Sequence, residues 1–113
     1  MFNNALMLSI PAHPFMEKIL GKVFQEANLL CYDPKAVCVL KTTGPWMLVN
    51  AYTELDSTEK TNIYLIPMRY VTPFNIDQAR RFLIGDRSDE LENCLSDAYA
   101  VHYFFGGWRK GEK

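Results

Sequence analysis

Residues Ala98 to Phe104, Ala-Tyr-Ala-Val-His-Tyr-Phe, constrain the fold of this chain more than any other stretch. The run is rich in aromatic and β-branched side chains, and strand alternation puts apolar groups on both of its faces. Such a strand must be covered from two sides, which calls for a sheet between other layers. Helical patterns precede it. Pro14 stands where a helix starts, because its fixed φ and missing N–H are harmless in the first turn. Behind it, Met16, Ile19, Leu20, Val23, Phe24 and Ala27 recur at helical spacing, with Glu17, Lys18, Lys22, Gln25 and Glu26 on the other side. The expected class is therefore α/β, with helices layered on buried strands.

The remaining segments fit that class. Ala5 to Ile10 is a short apolar run before Pro11, suited to a buried strand. Asp33-Pro34 signals a turn, and Ala36 to Leu40 fits a strand or a helical turn. Thr43-Gly44-Pro45 marks a second helix start, with Leu48, Ala51, Tyr52 and Leu55 as its apolar face. Asp56 to Thr61 reads as a polar loop, and Asn62 to Ile66 as a strand closed by Pro67. Thr72-Pro73-Phe74-Asn75 breaks the chain again. Gln78 to Ile84 fits a short helix, and Gly85 to Asn93 an exposed acidic loop.

Composition narrows the function. The 113 residues suit one domain, 1–113, with 49% hydrophobic and 22% charged residues, as in ordinary globular proteins. A formal net charge of -1 without any basic run leaves no electrostatic footprint for nucleic acid. No apolar run has the length of a transmembrane segment, and the opening residues lack the pattern of a signal peptide. Cys31, Cys38 and Cys94 are odd in number and lack metal-ligand spacing, so reduced, mostly buried thiols are expected. The expected location is cytoplasmic, with membrane association as a variant.

Several segments have residues suited to chemistry. His102 lies inside the apolar run and, taken by itself, fits a core histidine bonded to a backbone carbonyl better than a metal ligand, a general base or a phosphate donor. Gly106-Gly107 allows close approach of backbone N–H groups to an anion, and Trp108 offers an indole donor or an apolar wall. The same three residues also fit a plain turn. Thr43-Gly44-Pro45 offers amides at a helix start, although capping explains it as well. His13 fits a cap, and Asn3 and Asn4 fit either sugar contacts or a frayed end. The chain has no P-loop, G-x-G-x-x-G, G-x-S-x-G or H-E-x-x-H. Its carboxylates crowd into Asp86 to Glu92, as in a solvated loop.

Taken in order, Asn4-Ala5, Ala12-His13-Pro14-Phe15, Thr43-Gly44-Pro45 and Tyr99-Ala-Val-His102 with Gly106-Gly107-Trp108 resemble the motif succession of a DXD-type glycosyltransferase family. That family is related to the initiating α-1,6-mannosyltransferase and to bacterial capsular polysaccharide transferases. The resemblance spans nearly the whole chain and implies the C-terminal, acceptor-side portion of a GT-A (nucleotide-diphospho-sugar transferase) fold. It implies transfer of a sugar from a nucleotide-sugar donor to a glycan or lipid-linked acceptor, with Mn²⁺ or Mg²⁺. His102 would be a metal ligand, Gly106, Gly107 and Trp108 would lie near the diphosphate, and Asn4, Thr43, Gly44 and Pro45 would line the acceptor side. The chain departs from the family in two places: Gly107 stands where a serine is usual, and no D-x-D occurs. An N-terminal partner segment or chain is therefore expected to supply the D-x-D, and an exposed sheet edge would favour homo-oligomers. The other expectation is a non-catalytic remnant used for binding or assembly.

Overall fold

The computed structural model describes residues 4–25 and 30–104. They belong to two compact units, one within Met1–Tyr64 and one within Leu65–Lys113.

The first unit contains α1 (Pro14–Val23), α2 (Lys35–Thr42), α3 (Pro45–Thr53) and α4 (Ser57–Thr61). α1 begins as the sequence predicts: Pro14 opens it, and the His13 side chain accepts the Phe15 N–H at 3.1 Å as the N-cap. Ile19 of α1 is buried with Met47, Leu48 and Ala51 of α3, and Phe15, Met16 and Val23 pack around them. Lys18 and Lys22 both reach Glu54 just past α3, at 3.3 and 2.8 Å. Only part of the α1 stripe is used, since Leu20 and Phe24 remain exposed. Ala27 of the predicted stripe lies outside the described residues.

The stretch Ala36 to Leu40, open between strand and helix in the sequence, is helical within α2. This helix has no buried residue. It is held instead by a disulfide from Cys31 to Cys38, by the Lys41–Asp33 ion pair at 2.6 Å, and by close contact with the start of α3. The expectation of three reduced thiols is thus corrected: two are paired, and Cys94 alone is free and half-buried. Odd cysteine number argues against a full set of disulfides, not against one local bridge across a turn. Asp56 to Thr61 is also corrected, from loop to α4. Asp56 and Glu59 form a reciprocal capping box there.

The second unit contains α5 (Met68–Val71), α6 (Ile76–Leu83) and α7 (Asp89–Leu95). Asn75 and Gln78 form a second capping box that starts α6. Gly85, at φ 97°, turns the chain out of α6 in a conformation that a side chain would strain. The core is Phe74, Ala79 and Leu91, flanked by Phe82, Cys94, Leu95, Val101 and Phe104. The expected acidic loop, residues 85–93, instead leads into α7, whose charges face solvent while Leu91 is fully buried. Leu91 and Leu95, one helical turn apart, carry that amphipathic signal inside an acidic stretch.

The α/β, GT-A expectation is overturned. Among the described residues every regular element is a helix, and no strand or sheet occurs. Ala5 to Ile10, Asn62 to Ile66 and Ala98 to Phe104 are all irregular over their described residues apart from turns and bends. Apolar alternation reports where side chains would be buried; a strand also needs a neighbour for its backbone N–H and C=O groups. The N–H groups of Tyr99 and Ala100 show the difference. Both bond to one carbonyl, that of Tyr70, at 2.8 and 3.2 Å, instead of alternating along a ladder.

Candidate functional site

His102 is the residue whose surroundings folding alone does not explain. The segment leading to it is pinned where Tyr70 accepts the Tyr99 and Ala100 amides. Val101 and Phe104, on either side of the histidine in sequence, pack on the Phe74–Ala79–Leu91 core. The imidazole lies against the Phe104 ring, centroids 4.2 Å apart and planes inclined by 39°. Its Nδ1 is buried and has no hydrogen-bond partner. An unsatisfied buried polar atom costs roughly 1–3 kcal/mol, so native proteins rarely keep one without a further partner. Phe104 adds a second unusual feature, a φ of 55° in the left-handed region that bulky side chains avoid. Strained backbone and an orphaned nitrogen thus occur within three residues.

Such a nitrogen is suited to bind a cation or to exchange a hydrogen bond with a ligand. A divalent metal fits His102 as one ligand among several. The described residues contain no group of three or more His, Cys, Asp or Glu placed to hold an ion, so further donors would have to come from elsewhere. Gly106, Gly107 and Trp108, expected near a diphosphate, lie outside the described residues.

In the first unit the structure does bring the expected acceptor-side residues together. The Asn4 side-chain amide donates to the Thr43 carbonyl at 3.4 Å, across 39 positions of sequence. Thr43 hydroxyl donates to the Val39 carbonyl, also at 3.4 Å. Gly44 is the N-cap of α3, and Pro45 its first residue. A Cβ on Gly44 would stand 2.8 Å from both Leu40 Cα and Val39 O, so the last turn of α2 can only approach α3 over a glycine. The Thr-Gly-Pro motif therefore has a packing explanation. His13 has one too: Nδ1 accepts the Phe15 N–H, and Nε2 stands 3.3 Å from the Asn62 carbonyl, which fixes the tautomer as Nε2–H.

The acidic cluster is a structural network. Arg81 bridges Asp86 at 2.7 Å and Glu90 at 3.0 Å, tying α6 to α7. The Ser88 backbone N–H and then Arg81 hold the Asp86 carboxyl below the ordinary aspartate range, and Gln78 and Arg81 do the same for Glu90. Carboxyls kept ionised in this way are poorly suited to act as general acids. Sequence reasoning overlooked a different group: Arg69, Tyr70, Asp97 and Tyr99. Arg69 donates to the Tyr70 hydroxyl at 2.8 Å and stands 3.9 Å from Asp97, while the Tyr70 and Tyr99 rings lie 6.0 Å apart. The backbone carbonyl that assembles the group leaves no trace in residue type, so no sequence signal marked it.

Among the described residues no helix is long and apolar enough to cross a membrane. Comparison with protein-family models, with curated proteins and with solved structures gives no match.

Proposed function

We propose that this chain serves as the acceptor-side part of a nucleotide-sugar-dependent glycosyltransferase, acting on a glycan or lipid-linked acceptor in polysaccharide synthesis. A second polypeptide segment would supply the D-x-D carboxylates. The helical fold gives this reading no support. The reading is carried by the buried, unpartnered Nδ1 of His102, at the position that the ordered motifs mark for a metal ligand. A bound Mn²⁺ or Mg²⁺ would supply charge to stabilise a departing nucleoside diphosphate. This chain's own part is to hold the His102 ring against Phe104 and to keep water from its Nδ1.

A second reading, a non-catalytic binding or assembly module, is favoured by the exposed apolar side chains. Leu8, Ile10, Phe24 and Ile84 are each more than two-thirds exposed, whereas the fully buried core is small. A partner chain or a second copy would cover them.

NMR separates the two. On titrating Mn²⁺ with uridine or guanosine diphosphate, the sugar-transferase reading expects His102 ring signals to broaden while those of His13, both nitrogens engaged, do not. Equal silence from both rings, with no sugar-nucleotide hydrolysis, selects the assembly module.

A further inference from the structure

Around Tyr99 the chain places a combination that neither helix packing nor the core requires. The Tyr99 side chain is 89% exposed, yet its backbone is fixed by the bond from its N–H to the Tyr70 carbonyl. Ala98 and Ala100 flank it with nothing larger than methyl groups, so no neighbour in sequence rises beside the ring. The Tyr70 ring stands 6.0 Å away, inclined by 58°, as a second wall. Arg69 lies over the Tyr70 ring at 4.6 Å and near Asp97 at 3.9 Å, which brings a guanidinium and a carboxylate beside that second wall. Both side chains are largely exposed, at 60% and 63%.

We infer that Tyr99, walled by Tyr70 with Arg69 and Asp97 beside that wall, is a subsite for a pyranose ring of a glycan. A pyranose has one face of C–H groups carrying partial positive charge, which suits the electron-rich face of an aromatic ring. Its hydroxyls lie around the edge, where a carboxylate accepts and a guanidinium donates charge-assisted hydrogen bonds. One flat ring, with a donor and an acceptor beside the ring that walls it, matches that pattern in size and order. A protein partner would call for a broader apolar patch, and a nucleic acid for a basic surface. Tyr32 and Tyr64 are also exposed, and Tyr32 precedes the Asp33–Lys41 ion pair, but neither has a second aromatic ring beside it among the contacts described. Assigning the subsite to the acceptor, rather than to any glycan, rests on the sugar-transfer reading above.

The test uses the full chain and no metal, so it is independent of His102. Methyl glycosides of glucose, galactose and mannose are titrated in turn, with saturation-transfer NMR on the sugar and amide shifts on the protein. Binding by at least one, with the strongest transfer at C–H protons of a single ring face and shifts at Tyr99 and Ala100, is expected. Tyr99→Phe keeps the affinity within about twofold, and Tyr99→Ala weakens it roughly tenfold, the scale of one lost aromatic contact. Asp97→Asn weakens it several-fold through loss of the charged acceptor. Tyr32→Ala, an equally exposed tyrosine in the other unit, changes nothing. Since Tyr99 is exposed, amide spectra should show Tyr99→Ala folded; binding that survives in that folded variant overturns the subsite. So does absence of transfer from all three glycosides. Glycoside binding with a silent His102 would leave the subsite standing and remove the metal-dependent transfer reading.

Discussion

In the unit within Met1–Tyr64, His13 has both ring nitrogens engaged with backbone, capping α1 on one side and meeting the Asn62 carbonyl on the other. In the unit within Leu65–Lys113, His102 has a buried Nδ1 with no partner and lies beside a strained Phe104. The sequence singles out His102 as a chemical candidate and reads His13 as a helix cap. Their surroundings separate them. The polar groups of the first unit's motifs are satisfied within the fold: Asn4 bonds to Thr43, Thr43 to Val39, and Gly44 gives way to a helix. In the second unit the buried Nδ1 of His102 is left unsatisfied among the described side chains. Folding accounts for a satisfied motif, whereas an unsatisfied buried atom asks for a ligand.

The contrast can be attacked from several sides. The largest effect is expected in the second unit's core, where Phe74→Ala should cost about 3–5 kcal/mol in urea unfolding. The loss would be read as a lower midpoint with the slope unchanged. In the first unit, Gly44→Ala should cost about 2–3 kcal/mol, because the new Cβ meets backbone that cannot move aside. Gly21→Ala, with nothing within 4 Å in the middle of α1, should instead stabilise by about 0.5–1 kcal/mol. Equal effects at the two glycines would remove the packing explanation of the Thr-Gly-Pro motif.

Reducing the Cys31–Cys38 bond should cost about 2 kcal/mol, given the short loop that it closes. Amide exchange should rise chiefly in α2, which has no buried residue of its own to hold it. The histidine pair gives the most direct comparison, with smaller effects of opposite sign. His13→Ala should destabilise by about 1 kcal/mol through loss of the cap. His102→Phe should stabilise by about 1 kcal/mol, since an apolar ring of similar shape removes the orphaned nitrogen. If both substitutions destabilise alike, His102 is structural after all.

The smallest effect concerns acid. The Asp86 and Glu90 carboxyls have folded pKa values depressed below their unfolded ones, by Ser88 and Arg81 and by Gln78 and Arg81. Their contribution is present above the unfolded values and is lost as pH falls through the folded ones. Stability should therefore sag slightly below the ordinary carboxylate range, and less so in Asp86→Asn. The groups are solvent-accessible, so added salt should shrink this sag further.

Residue order alone determined the local events of this fold. Pro14 and Pro45 open helices where the chain predicts them, and Ile19, Leu48 and Ala51 are buried as their spacing requires. These signals are local: a cap or a helical stripe involves residues a few positions apart. The capping boxes Asp56–Glu59 and Asn75–Gln78 and the Leu91–Leu95 stripe are local signals too, but polar and acidic composition hid the first and last, so residues 56–61 and 85–93 read as loops. Tertiary structure alone decided whether the apolar runs became strands, which cysteines paired and which histidine kept a free nitrogen. Each of those depends on which groups the folded chain brings within reach, whether near in sequence or far. A backbone N–H needs a particular carbonyl, a thiol a second sulfur within reach, an imidazole a neighbour at hydrogen-bond distance. Residue type states the need, and only the folded chain shows where it was met.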